Sequence, residues 1–172
     1  VTRLWKRPLR RPRFVADTHL GRLAAYLRMT GFDTLYRNDY SDNELASLSQ
    51  SENRILLTRD RGLLKRNQVT HGFFIRHDEP FLQLVSVLER FDLHNDLQPF
   101  TRCLSCNNLL DKARKEDILD RLPANTAQTF VEFKICQSCG KVYWKGSHYN
   151  RMSAMINRLQ SFRKMPVEKR KG

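Results

Sequence analysis

Two sets of side chains in this sequence have types and spacings that suit metal chemistry. The first is a series of carboxylates, each placed at the edge of a short apolar run. Asp17 closes RFVAD, Asp60 follows RILLTR and Asp78 follows GFFIRH, while Asp42 and Glu44 open a periodic stretch after Ser41. Carboxylates gathered in one place repel one another, and without a counter-ion their pKa values rise. An all-oxygen donor set suits Mg²⁺ or Mn²⁺. Such ions activate water and stabilise a leaving oxygen in phosphodiester cleavage. Each acid also has a simpler use. Asp17 and Asp60 can be helix N-caps, Asp42 and Glu44 can favour a helix dipole, and Asp78 can be a turn residue. The chemical reading therefore depends on whether the fold brings them to one edge.

The second set is the cysteines. All four fall in two CxxC pairs, Cys103-Leu-Ser-Cys106 and Cys136-Gln-Ser-Cys139. Two such knuckles close a tetrahedral Zn²⁺ site, and a closed Cys₄ shell leaves no position for substrate, so the zinc is expected to be structural. The same spacing predicts a reducing compartment rather than a disulfide framework, hence a cytoplasmic protein. After the second knuckle comes KVYWKGSHYNRM. There Tyr143, Trp144, His148 and Tyr149 are interleaved with Lys141, Lys145 and Arg151. Aromatic and basic residues in that arrangement suit base stacking and phosphate contact. The alternative is that Tyr143 and Trp144 pack on the knuckles and that His148 is structural.

Periodicity predicts the elements that carry these groups. Strands are expected at 13–17, 32–36, 54–58 and 72–76, and helices over 19–30, 42–52 and from Pro80 onward. Leu20, Leu23, Ala24 and Leu27 form one apolar face of the first helix. Ser41 and Glu44 have the spacing of a capping box for the second. Alternating strands and helices are the pattern of parallel βαβ units, and right-handed crossovers put every strand C-terminus on one edge. Asp17, Asp60 and Asp78 then converge there, with Asp42 and Glu44 beginning on the same side. Further along, a short helix is expected near 115–122, a strand at 130–135 and a last helix over 148–162. No GxGxxG follows a strand and no GxxxxGK[ST] occurs, so the phosphate turns of nucleotide folds are missing. The position two after Asp17 is His19, not the second Asp of an aspartyl phosphatase.

The chain has 172 residues and a net charge of +13, which favours a polyanionic partner. Residues 1–13 hold six basic and no acidic residues, and residues 163–172 hold five basic and one acidic. No segment approaches the run of about 18 apolar residues that spans a membrane, and VTRLWKRPLRRPRF has no signal-peptide core. The expected organisation is a basic segment at 1–12, an α/β domain at 13–91, a linker at 92–100, a zinc domain at 101–162 and a basic tail at 163–172.

The order of these motifs resembles a known family. RFVADTHLGRLAAYLRMTGFDTLYRND, SDNELASL and RILLTRDRGLL, then RCLSCNNLL and CQSCGKVYWKGSHYNRM, are similar to the Mut-seven C-terminal ribonuclease domain, over about residues 13–160. The resemblance implies a PIN-like three-layer α/β/α fold with a parallel sheet, followed by a zinc ribbon. It also implies metal-dependent RNA cleavage. The family's acidic positions carry over to Asp17, Asp60 and Glu44, the expected Mg²⁺ or Mn²⁺ ligands, with Asp42 beside Glu44; Asp78 is the candidate for the fourth. Arg59 and Arg61 are candidates to steady phosphate charge, although a charged surface turn is the simpler reading. RNA is the expected partner. A ubiquitin-like domain precedes the nuclease domain in some members, and RPLRRPRF resembles the junction after one. Two other readings stand beside the nuclease: a non-catalytic RNA-binding module with capping carboxylates, and a nuclease toxin held by a protein inhibitor.

Overall fold

Phe14, Val15 and Ala16 are completely buried, so the strand that carries them must be covered on both faces. The computed structural model describes residues 11–165, and the chain divides between Pro99 and Phe100 into two compact units. The first unit supplies both covers. Its elements are β1 (Phe14–Ala16), α1 (Gly21–Met29), β2 (Thr34–Leu35), α2 (Asp42–Ser51), β3 (Ile55–Thr58), α3 (Arg61–Leu64), β4 (Gly72–Phe74) and α4 (Pro80–Arg90). The sheet order is β2-β1-β3-β4 and every pairing is parallel. The mixed α/β architecture expected from the alternating pattern is the one observed.

Alternation along β1 divides the core. The Phe14 ring meets Phe32 and Phe91 edge-on, with centroids 6.2 and 5.8 Å away, and Phe91 meets Phe73 in turn. The next residue, Val15, joins Leu45 of α2, Leu56 of β3 and Leu63 of α3. α1 packs against α4, and Leu20, Leu23, Ala24 and Leu27 are all buried, as the periodicity requires. The capping box is formed: Glu44 N–H donates to Ser41 Oγ at 3.2 Å and Ser41 N–H to Glu44 Oε2 at 2.8 Å. α3 enters the sequence-based expectations only through Asp60 as a possible N-cap, and Asp60 does cap it. It is a single turn hidden in a charged stretch.

Of the segment read as a linker, 92–100, residues 92–99 belong to the first unit. Leu93 is buried, and Gln98 N–H donates to Thr30 O at 2.9 Å. Gly31 makes this possible. Its φ is +95°, and a Cβ there would lie 2.4 Å from Gln98 O, so no other residue fits.

The second unit contains β5 (Asp111–Ala113), α5 (Lys115–Ile118), α6 (Ala124–Thr129), β6 (Phe133–Ile135), β7 (Val142–Trp144) and α7 (Ser147–Lys164). The three strands form an antiparallel sheet. The helix expected at 115–122 stops at Ile118 and tightens into a 3₁₀ turn over Leu119–Arg121. β5, α6 and β7 have no counterpart among the expectations, being too short for periodicity to register. The basic segment at 1–12 and the basic tail at 163–172 lie outside the described residues, apart from 11–12 and 163–165. Among the described residues no helix is long and apolar enough to cross a membrane.

A buried cation braces the sheet edge where the strands begin. Arg54 is 6% exposed at its side chain and pairs with Asp33 at 2.7 Å and Glu52 at 2.5 Å. Its Nη1 also donates to Phe14 O at 3.1 Å. Burial opposes its charge, and the bonds to Asp33 and Glu52 more than restore it. The Arg54 side chain therefore joins β1, the approach to β2 and the end of α2. Replacing Arg54 by Ala strands Asp33 and the Phe14 carbonyl, and should cost about 3 kcal/mol. Denaturant unfolding of the full chain measures it, and a loss below about 1 kcal/mol would show that water replaces the guanidinium without penalty.

Candidate functional site

The register of β1 on β3 pairs Ala16 with Leu57, which sets the next residues, Asp17 and Thr58, side by side at the ends of the strands. Asp17 N–H donates to Leu57 O at 3.0 Å. Thr58 Oγ1 donates to Asp17 Oδ2 at 2.6 Å and accepts from the Asp60 N–H at 3.0 Å. One fully buried hydroxyl thus joins the two carboxylate positions. Asp17 Oδ1 accepts from the Thr18 N–H at 2.6 Å and the Thr18 hydroxyl at 3.3 Å. Asp60 Oδ1 caps α3, accepting from Gly62 N–H at 2.7 Å and Leu63 N–H at 3.4 Å. Its Oδ2 has no hydrogen-bond partner among the described residues.

Asp17 is almost fully buried and rigidly held, whereas Asp60 is exposed. The Asp17 loop is fixed from β2's side as well, because Tyr36 Oη donates to Thr18 O at 3.0 Å. Gly21 leaves room for that ring: a Cβ there would lie 2.7 Å from Tyr36 Oη. Carboxylate oxygens are the donor type taken by Mg²⁺ and Mn²⁺, ions that keep several waters and use one or two carboxylates together with substrate phosphate. Thr58, Tyr36 and Gly21 were missed by sequence reasoning. The hydroxyl in LTRD was the available signal for Thr58, but its meaning depends on the β1–β3 register.

The remaining acids are engaged locally. Glu44 lies in the capping box, where the hydrogen bonds from Ser41 hold its carboxyl below the usual range. Asp42 pairs with Arg66 at 3.6 Å. Asp78 pairs with Arg59 at 2.5 Å, and Arg59 also donates to His77 O at 2.6 Å. Arg61 lies over the Phe74 ring at 4.5 Å. Arg22, in the first turn of α1, and Arg76, beyond β4, are exposed near this edge and have no acidic partner among the described residues.

The two CxxC segments adopt the same turn. Cys103 N–H donates to Asn108 O at 2.8 Å, and Asn107 N–H donates to Cys103 O at 3.0 Å. In the second, Cys136 N–H donates to Lys141 O at 2.9 Å and Gly140 N–H to Cys136 O at 2.8 Å. Asn107 and Gly140, one after each second cysteine, have φ of +72° and +76°, a region open to Gly and tolerated by Asn. The turns bring all four Sγ atoms within 4.8 Å of one another, with Cys103–Cys139 at 3.6 Å and Cys106–Cys136 at 3.2 Å. A tetrahedral shell at about 2.3 Å needs sulfurs about 3.8 Å apart, so the four thiols fit a zinc-sized ion. No other group of three or more potential ligands closes this tightly among the described residues.

The thiols are electrostatically uneven. Burial pushes Cys136 up to about 12. Burial opposes ionisation of Cys106 as well, but hydrogen bonds, foremost from the Asn108 side chain, outweigh it and lower that thiol to about 6. The basic and aromatic residues nearby are mixed in disposition. Lys141 donates to Ser105 Oγ, and Lys145 pairs with Glu132 at 3.2 Å beneath the Tyr149 ring. Trp144 is half-buried, tilted on Phe133 at 6.5 Å and folded over Gly146, where a Cβ would lie 2.8 Å from the indole nitrogen. His148 and Arg151 are exposed on α7.

A family model described as the Mut7-C RNAse domain matches residues 12–156. No curated protein and no solved structure matches the chain.

Metal analysis of the purified protein should find about one tightly held ion per chain, lost in Cys136→Ser. Its removal should unfold the second unit and leave the first intact, because a structural zinc contributes about 10 kcal/mol or more of folding free energy. Amide exchange measured with and without chelator separates the units. A metal-free chain that keeps full protection in 100–160 would rule out a structural metal at the cysteines.

Proposed function

The chain belongs to the Mut7-C RNAse domain family, whose activity is of the nuclease type and directed at RNA, and on that premise we propose a PIN-like, metal-dependent ribonuclease. In this reading the enzyme hydrolyses RNA phosphodiesters at the strand-end edge of its parallel sheet. The observation that carries the proposal is the hydrogen-bonded series Asp17–Thr58–Asp60. A buried hydroxyl committed to orienting one carboxylate and the turn that bears a second is more than two isolated helix caps require.

Asp17 and Asp60 are the primary metal-binding carboxylates in this proposal, with Glu44 or Asp42 supplying a third oxygen from the start of α2. When bound, a divalent cation such as Mg²⁺ or Mn²⁺ supplies positive charge to the phosphate and lowers the pKa of a coordinated water. The chain's own residues orient the reaction. Thr58 fixes the direction of Asp17, and the Thr18 and Tyr36 bonds prevent the loop from turning away. Asp60 keeps Oδ2 available while Oδ1 caps α3. Arg22 and Arg76 provide unneutralised charge for flanking phosphates, and Arg59 and Arg61 add to it if Asp78 and Phe74 release them. In the second unit the four cysteines hold a structural zinc, and Lys141, Trp144, Lys145, His148 and Arg151 offer a separate RNA-binding surface. Asp78 is a neutraliser of Arg59 in this scheme rather than a fourth ligand.

A second reading has its own support. Asp60 and Glu44 already serve as caps, as they would in a non-catalytic RNA-binding module. The two readings part on charge-removing substitutions.

Asp17→Asn and Asp60→Asn should each lower Mn²⁺-dependent cleavage of RNA by about 10²-fold or more, the equivalent of several kcal/mol of lost transition-state stabilisation. RNA affinity should be unchanged or slightly higher. Thr58→Val should give a smaller loss that excess Mn²⁺ partly restores. Glu44→Gln costs as much as the aspartate variants if it is a ligand, and only tenths of a kcal/mol of stability if it merely caps. Cleavage at the wild-type rate by both Asn variants would show that this edge is not the active site, and a wild type that binds RNA without cleaving it at any Mn²⁺ concentration would establish the binding-module reading.

Arg22→Ala with Arg76→Ala should flatten the slope of log affinity against log salt, by about 0.7 for each single-strand phosphate no longer neutralised. An unchanged slope would mean that RNA does not pass that edge.

A further inference from the structure

We propose that Tyr143 is a positioning residue of the four-cysteine centre, its hydroxyl holding the Cys103 thiolate in ligating orientation. The proposal rests on the reading of that centre as a zinc site. Tyr143 stands on β7, just beyond the second knuckle, yet its hydroxyl reaches back to the first. Tyr143 Oη lies 3.0 Å from Cys103 Sγ and accepts the Leu104 N–H at 3.2 Å.

A phenol has one hydrogen to give, and its oxygen accepts as well. The Leu104 N–H approaches that oxygen as a donor, so the phenolic hydrogen is free to point at the sulfur. A phenol keeps its hydrogen at neutral pH, so it is available as a donor. Asn108 does the same on the other cysteine of this knuckle, its Nδ2 lying 3.4 Å from Cys106 Sγ. The first knuckle therefore receives one side-chain donor on each sulfur. A Cys₄ shell around one zinc ion carries excess negative charge, and donors to sulfur offset it while setting the direction of the lone pairs. Tyr143 has a second effect through the same two bonds. It spans sequence positions 40 apart, and so fastens the first knuckle to the hairpin that bears the second.

Tyr143→Phe removes the hydroxyl and keeps the ring, so packing is preserved and the hydrogen bond is isolated. Full-length wild type, Tyr143→Phe and Cys136→Ser are loaded with zinc and titrated with a chromophoric chelator; the cobalt-loaded forms are compared by their thiolate-to-metal charge-transfer bands. Tyr143→Phe should still hold one ion per chain and fold at saturating zinc. It should bind that ion about 10-fold or more weakly and shift the cobalt band. Val142→Ala, which trims a neighbouring side chain on β7, should leave the band in place. If Tyr143→Phe does not fold, fluorotyrosine placed at position 143 decides, because it keeps the ring and strengthens the donor. Its band should then move opposite to any loss of donor. Zinc affinity and cobalt spectrum equal to wild type in Tyr143→Phe, or an unmoved band with fluorotyrosine, would overturn the proposal and leave the zinc reading intact. A wild type that holds no zinc, or a Cys136→Ser chain that holds it as tightly, would overturn the zinc reading and this proposal with it.

Discussion

The hydrogen bond from Thr58 to Asp17 is the contact on which the candidate site depends. It exists only because β1 and β3 are parallel neighbours in one register. A slip of one residue would send Thr58 to the opposite face of the sheet and part the carboxylates. The register is in turn held by what lies behind it. Val15 and Leu56 enter one cluster and Phe14 enters another, so slipping β1 would expose both sets at once. The short distance between Asp17 and Thr58 is thus maintained by apolar packing that never touches the carboxylates.

The other edge of the sheet works by a different principle. There the brace is a charge, and Arg54 remains ionised inside the protein because Asp33, Glu52 and a backbone carbonyl surround it. A buried ion pair is weak evidence of net stability. Its value here is directional, since the planar guanidinium can satisfy these acceptors only when β1, β3 and the end of α2 are correctly docked. The sheet is specified by polar contacts at both edges and by apolar contacts between them.

Much of this was legible in the sequence, for reasons that differ between residues. The periodic face of α1 and the Ser41–Glu44 box depend on spacing alone, and both formed as read. The cysteine pairs were equally plain, since a CxxC turn is local and its partner turn has the same form. What escaped was anything decided by pairing across the sheet or by a neighbour's charge. Thr58 reads as an ordinary strand residue until its register is known. Arg54 reads only as the first residue of the third strand, because burial of a cation cannot be inferred without its partners. Asp78 looked like a companion of Asp60, but Arg59 faces it from the adjacent strand end. β5 and β7 are three residues each, and strands that short owe their existence to partners rather than to propensity.

The identical turns at Asn107 and Gly140 also bear on how the second unit can change. Four sulfurs from two distant turns would, on holding one metal ion, act as a cross-link that closes the intervening chain into a loop. The entropy of closing such a loop grows only with the logarithm of its length, so doubling it costs about 0.6 kcal/mol. Within this loop lie α5, the 3₁₀ turn and α6, which contribute only Ile118 and Thr126 as buried side chains. The knuckles are fixed to the residue by their hydrogen bonds, whereas the chain between α5 and β6 buries only Thr126 and is held to the rest by the contacts of Arg121 with Gly140 and of Glu132 with Lys145. That stretch is where insertions and deletions can accumulate without disturbing either turn.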